Sequence, residues 1–151
     1  MSSTLTLNNL SISAAEWEIM RVVWADPYIT SRQIINTLLE LSEWKEGTIK
    51  SMLNRLLQKG ALAQDTHTTP YLYHAQLSMK EATFARIDEI SHSTCTRDRA
   101  DIVGHLIEDN HFSKSQIETL INQLTNKLAT APEEIPCECS VGQCHCHVNR
   151  A

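Results

Sequence analysis

The chain has 151 residues, enough for one ordinary domain or a small domain with an appendage. At 42 % apolar and 21 % charged residues it reads as a soluble, globular chain, and no run approaches the roughly eighteen apolar residues of a membrane-spanning helix. The net charge of −5 argues against a uniformly basic nucleic-acid-binding protein, and the N-terminus has neither the basic nor the long apolar segment of a signal peptide, so the expected location is the cytoplasm.

Residues 1–10 are polar and are expected to be loose. Ser13-Ala-Ala-Glu16 is a capping box, with Ile12 able to staple onto Trp17. Trp17, Ile19, Met20, Val23 and Trp24 then recur at helical spacing until Asp26-Pro27 ends the helix. A second box, Thr30-Ser-Arg-Gln33, opens a helix with the apolar face Ile34, Ile35, Leu38, Leu39 and Leu41. Ser42–Gly47 reads as a turn. The third helix is the most regular: Ile49, Met52, Leu53, Leu56 and Leu57 form one stripe, and Gly60 stands where a helix stops. Residues 61–65 and 71–75 flank Thr66–Pro70 as a hairpin, with Tyr71, Tyr73 and Ala75 alternating.

Helix then resumes. Ser78-Met-Lys-Glu81 is a third box, leading to Met79, Ala82, Phe84, Ile87 and Ile90. After a break at Ser91–Cys95, a shorter helix over about 98–108 carries Ile102, Val103, Leu106 and Ile107. A fourth box, Ser113-Lys-Ser-Gln116, opens a helix with Ile117, Leu120, Ile121, Leu124 and Leu128. Pro132 and Pro136 bracket a linker. The expected fold is mainly α with a small β-hairpin: a winged helix-turn-helix over 1–76, a helical dimerisation region over 77–130 and a cysteine-rich tail over 131–151. The second half buries too little surface to stand alone, so a homodimer is expected.

With its stripe turned inward, the third helix presents Thr48, Lys50, Ser51, Asn54, Arg55 and Gln58 outward. These donors, acceptors and cations suit base edges and phosphates in a major groove. An ordinary solvated helix face would look similar. Of the 18 acids 11 lie after residue 80, so the segment 47–60, with Lys50, Arg55 and Lys59 and no acid, is locally basic. The wing tip holds no Lys or Arg.

Four of the five cysteines fall in Cys137-Glu-Cys139-Ser-Val-Gly-Gln-Cys144-His-Cys146. In a reducing compartment such a cluster points to metal rather than disulfides. Two Cys-x-Cys pairs can converge on one ion if the chain reverses, and Gly142 permits that. Four thiolates suit tetrahedral zinc, and they equally suit a small copper(I)–thiolate cluster. His145 and His147 read as bystanders, and Cys95 as a buried or incidental thiol. No catalytic zinc motif or P-loop is present, and a four-sulfur shell has no open position, so an enzyme is not expected.

Glu16–Trp24, Trp44–Gly60 and Tyr71-Leu-Tyr73, with the terminal CxCx4CxC, resemble the penicillinase-repressor family of winged-helix proteins and, within it, the copper-responsive CopY-type repressors. The resemblance spans about residues 12–147. It implies a homodimer on a palindromic double-stranded DNA operator. It further implies that zinc on Cys137, Cys139, Cys144 and Cys146 keeps the repressor on DNA, and that copper(I), two ions per chain, displaces zinc and releases it. By position, Lys45, Thr48, Lys50, Ser51, Asn54 and Arg55 are the implied DNA contacts, and a copper chaperone is a candidate metal donor. Lys45 departs from the usual Ser or Thr after the turn tryptophan. The Asn-Phe pair cleaved in the penicillinase branch is missing, which disfavours a β-lactam response. The tail is expected to pack near Ile117–Leu128. A copper- or zinc-buffering or metal-chaperone protein, with the winged helix binding protein, is the alternative.

Overall fold

A computed structural model describes residues 10–147; residues 1–9 and 148–151, and the His147 side chain, lie outside the described residues. Ser13 accepts from the Glu16 N–H at 3.1 Å and its own N–H donates to the Glu16 carboxylate at 3.3 Å, which starts α1, Ala14–Ala25. The turn after α1 puts Tyr28 at φ 64, a left-handed conformation that a bulky residue seldom takes. It delivers the chain to β1, Ile29–Thr30. Thr30 is also the cap of α2, Ser31–Leu41, where Gln33 completes the reciprocal box. Then follow α3, Glu46–Lys59, and β2 and β3, Leu62–Asp65 and Leu72–Ala75. Gly60, at φ 79, stops α3 and turns its last carbonyls inward: the Ala61 N–H reaches the Leu56 carbonyl at 3.0 Å. The sheet has three antiparallel strands in the order β1-β3-β2, with Ile29 opposite Tyr73 and Gln64 opposite Tyr73 on its other side. The expected hairpin is thus joined by a third, two-residue strand.

The chain divides into two compact units between Ile87 and Asp88. In the first, helix stripes at 3.6-residue spacing close over the sheet. Ile19, Met20, Val23, Ile34, Ile35, Leu38, Ile49, Met52, Leu53, Leu56, Leu62 and Tyr73 form its core. Leu56 is fully buried, so Leu56→Ala costs about 2–5 kcal/mol. Leu39 and Leu41, expected on the buried face of α2, are exposed instead: α3 and the sheet cover only the Ile34–Ile35–Leu38 side. Three helices followed by a wing make this a winged helix-turn-helix. The Trp24 indole N–H donates to the Leu77 carbonyl at 2.9 Å, and the Arg86 guanidinium lies 4.4 Å over the Trp17 ring. These contacts hold the start of α4, Met79–His92, against α1. The third expected box is present at Ser78 and Glu81.

The second unit holds α5, Arg99–Asp109, and α6, Lys114–Leu128, which starts at the fourth expected box, Ser113 with Gln116. Their apolar stripes are not covered. Val103, Leu106 and Ile107 on α5 and Ile117, Ile121, Leu124 and Leu128 on α6 are all exposed. No helix of the described residues is long and apolar enough to cross a membrane.

Candidate metal centre and nucleic-acid interface

The outward face of α3 follows from its stripe. With Ile49, Met52, Leu53 and Leu56 buried, Thr48, Lys50, Ser51, Asn54 and Arg55 are all exposed, as is Lys45 at the helix cap. Lys45 makes no side-chain cap bond. The Ser51 hydroxyl donates to the Gly47 carbonyl at 3.0 Å, one turn back. Lys50 is paired with Glu46 at 3.0 Å, and Glu46 also takes Arg32 at 3.0 Å. The Arg32 and Lys50 cations hold the Glu46 carboxyl below its ordinary value. The acid-free stretch beginning at Gly47 therefore has an acid one residue before it, shared by two cations.

Lys59, the third cation of that stretch, faces elsewhere. Its ammonium donates to both oxygens of Glu16, at 2.8 and 2.9 Å, and to the Ser11 carbonyl at 2.8 Å. Glu16 is only 2 % exposed. Burial pushes its pKa up, but the Lys59 ammonium and the Ser13 contacts outweigh that and leave it lowered. This pair ties the start of α1 to the end of α3.

The wing is polar and carries no cation at its tip. The Asp65 carboxylate accepts from the His67 N–H at 2.9 Å, and Thr68 Oγ donates to the Pro70 carbonyl at 3.0 Å. These short bonds shape the turn from its own side chains.

The tail closes on itself and on a turn upstream. Gly142, at φ 87, reverses the chain between the two Cys-x-Cys pairs. Cys137 Sγ lies 3.3 Å from Cys144 Sγ and 3.5 Å from Cys95 Sγ, while Cys146 Sγ is 3.9 Å from Cys95 Sγ. The sulfurs of Cys95, Cys137, Cys139 and Cys144 all lie within 4.8 Å of one another. A tetrahedral zinc with bonds of about 2.3 Å needs sulfurs about 3.8 Å apart. The spacing fits a thiolate-bound metal. Burial, then the Cys137 thiol, pushes Cys139 up to about 12; burial, then the Cys95 thiol, pushes Cys146 up to about 12. Cys144 is lowered, chiefly by the Cys137 thiol. Crowded thiols resist ionising together, so a metal entering the cluster must displace protons.

Cys95 is buried, as expected, and its thiol lies against those of Cys137 and Cys146. It sits in the turn between α4 and α5, 42 residues before Cys137. Spacing in sequence carries no sign of this meeting. Thr96 Oγ donates to the Pro136 carbonyl at 2.6 Å, anchoring the tail at the same turn. The α6 face near Ile117–Leu128, where the tail was expected to pack, stays exposed. His145 is exposed beside Cys144 and Cys146.

The penicillinase repressor family matches residues 12–126. The chain is 32 % identical over 139 residues to an uncharacterized 16.5 kDa protein in the ptsI 3′ region of Latilactobacillus sakei, covering 92 % of this chain and 95 % of that one. It is 30 % identical over 113 residues to the penicillinase repressor of Bacillus licheniformis, covering 72 % of this chain and 85 % of that one. Among solved structures, the monomeric form of Bacillus licheniformis BlaI in complex with the blaP half-operator shares 34 % identity over 47 % of this chain and 87 % of that chain, with a TM-score of 0.44.

Proposed function

The chain belongs to the penicillinase-repressor family, and on that premise we propose that it is a metal-responsive transcriptional repressor of copper-homeostasis genes. The observation that carries the reading is a compact multi-thiol cluster in a chain whose other half is a winged helix with an exposed polar and basic recognition face. A family relative is a repressor by name, which supports DNA as the partner. The cluster supports a soft metal as the signal, since thiolates favour zinc and copper(I) over hard cations.

In this reading α3 enters the major groove of an operator. Asn54, Ser51 and Thr48 reach base edges, and Lys45, Lys50 and Arg55 neutralise phosphates. Two copies pair through the exposed stripes of α5 and α6. Ile117, Ile121, Leu124 and Leu128 repeat at the spacing of one helix face, and so large an uncovered apolar stripe is the mark of an interface. A two-fold dimer then matches a palindromic operator. Zinc on the thiolates favours the DNA-bound conformation and copper(I) the released one. A ligand shifts such an equilibrium only by binding the two conformations unequally, so the two metals must hold the tail in different shapes. The protein acts in the cytoplasm, on its own upstream DNA.

The test replaces Lys50 and Arg55 by alanine together. Operator binding is expected to fall by at least tenfold while zinc uptake by the tail is unchanged. Metal-dependent function that survives this double change would mean that the winged helix does not act through DNA, as a metal buffer would require.

A further inference from the structure

We propose that Cys95 is a ligand of the metal centre. Zinc would be held by Cys95, Cys137, Cys139 and Cys144, and Cys146 would be a fifth thiolate recruited when copper(I) binds. The inference rests on the metal-sensing reading above and extends it to a residue outside the tail motif.

Three observations carry it. The first is distance. Cys95 Sγ lies 3.5 Å from Cys137, close to the roughly 3.8 Å edge of a zinc–thiolate tetrahedron, and Cys146 Sγ stands 3.9 Å from Cys95 as a further thiol beside it. The group of four sulfurs that are all mutually close includes Cys95. The second is presentation. Cys95 is 8 % exposed, yet its thiol meets other thiols rather than only carbon. Its turn is fixed from both sides. Arg99 Nε donates to the Ser91 carbonyl at 2.8 Å and to the Thr94 carbonyl at 3.3 Å, and the Asp98 N–H reaches the Cys95 carbonyl at 2.9 Å. A ligand held in place before metal arrives loses less freedom on binding than one on a loose tail. The third is the bond from Thr96 to Pro136. It brings the first tail cysteine to the same turn.

The chemistry is simple coordination. Each thiol that binds gives its proton to solvent and its sulfur lone pair to the metal, with no change of oxidation state. Zinc needs four sulfurs in a tetrahedron. Copper(I) accepts two or three and shares them by bridging, so a fifth thiolate extends the choice of arrangements. Ligation by Cys95 makes the metal a crosslink between the tail and the end of α4. Exchange of one metal for another would then act on that helix end directly, which supplies a route from sensor to fold.

The experiment uses full-length protein. Zinc-edge X-ray absorption counts sulfurs around bound zinc in the unaltered chain, in Cys146→Ser and in Cys95→Ser/Cys146→Ser, with folding checked by circular dichroism. We expect four sulfurs in the unaltered chain and still four in Cys146→Ser, because Cys95 is in the shell. The double variant should fall to three sulfurs and bind zinc at least tenfold more weakly. A fall to three sulfurs in Cys146→Ser alone, or a zinc affinity in the double variant equal to that of Cys146→Ser, overturns the role of Cys95 and leaves the metal-sensing reading standing. Failure of the unaltered chain to bind zinc at all overturns that reading itself.

Discussion

Glu46 sets how much of the cationic charge beside the recognition helix is available to DNA. Its carboxylate is 3.0 Å from both Arg32 and Lys50, and the two cations are 59 % and 58 % exposed, so both could reach phosphate if released. Glu46→Gln keeps the shape of the side chain and one hydrogen bond but removes the charge that holds them. Glu46 offsets one unit of that cationic charge in the parent, and with it removed one additional phosphate neutralised per protomer steepens the slope of log affinity against log salt by about 0.9, or about 1.8 for a dimer. Between roughly 50 and 200 mM salt that is an extra loss of about twelvefold, and at the low end an increase in affinity of similar size. The assay is fluorescence anisotropy on operator DNA across a salt series, with a scrambled duplex alongside. Because phosphates carry no sequence information, the increase should appear on both duplexes. An unchanged slope, or a loss of affinity, would refute the placement of Lys50 against the backbone.

Other consequences can be measured separately. Lys59→Met strips the cation from a carboxylate that is 2 % exposed, and should destabilise the winged helix by about 2 kcal/mol, less than a fully buried pair because Lys59 is 34 % exposed. Glu16 has a lowered pKa in the fold, so the pair stabilises above the ordinary value of 4.5 and stops doing so as pH falls through the folded value. In urea melts the gap between Lys59→Met and the parent should therefore narrow in acid; a gap that widens there contradicts the ion pair. Leu124→Lys, at a position 56 % exposed on α6, should leave helix content unchanged but shift sedimentation from dimer to monomer, and a variant that stays dimeric places the interface elsewhere. Zinc binding should release protons, because Cys139 and Cys146 are pushed up to about 12, and apparent affinity should drop between about pH 8 and about pH 6. Calorimetry in buffers of different ionisation heat reads the proton count, and a heat independent of buffer would exclude thiol ligands.

Much of the fold could be read locally. A capping box needs only a Ser or Thr and a Glu or Gln three residues on, so the starts at Ser13, Thr30, Ser78 and Ser113 were visible in one dimension. So was the stripe of α3, and with it the outward set from Thr48 to Arg55, because a period fixes two faces at once. What escaped was non-local. β1 is two residues long, too short for alternation to register, and its Thr30 doubles as a helix cap. Leu39 and Leu41 fit an apolar pattern, but only packing decides how wide the covered face is. Lys59 adds to a charge count until Glu16, 43 residues away, claims it. Cys95 had no neighbour in sequence to mark it, and only the fold brings it to Cys137.

The central claim, that one chain couples a thiolate metal centre to operator binding, is tested most directly by a gel shift of the full-length protein on its own upstream DNA, with zinc and then copper(I) added. Zinc should preserve the shifted band and copper(I) should abolish it, while Arg55→Ala weakens the band seen with zinc. No binding in either state, or equal release by both metals, would contradict the claim.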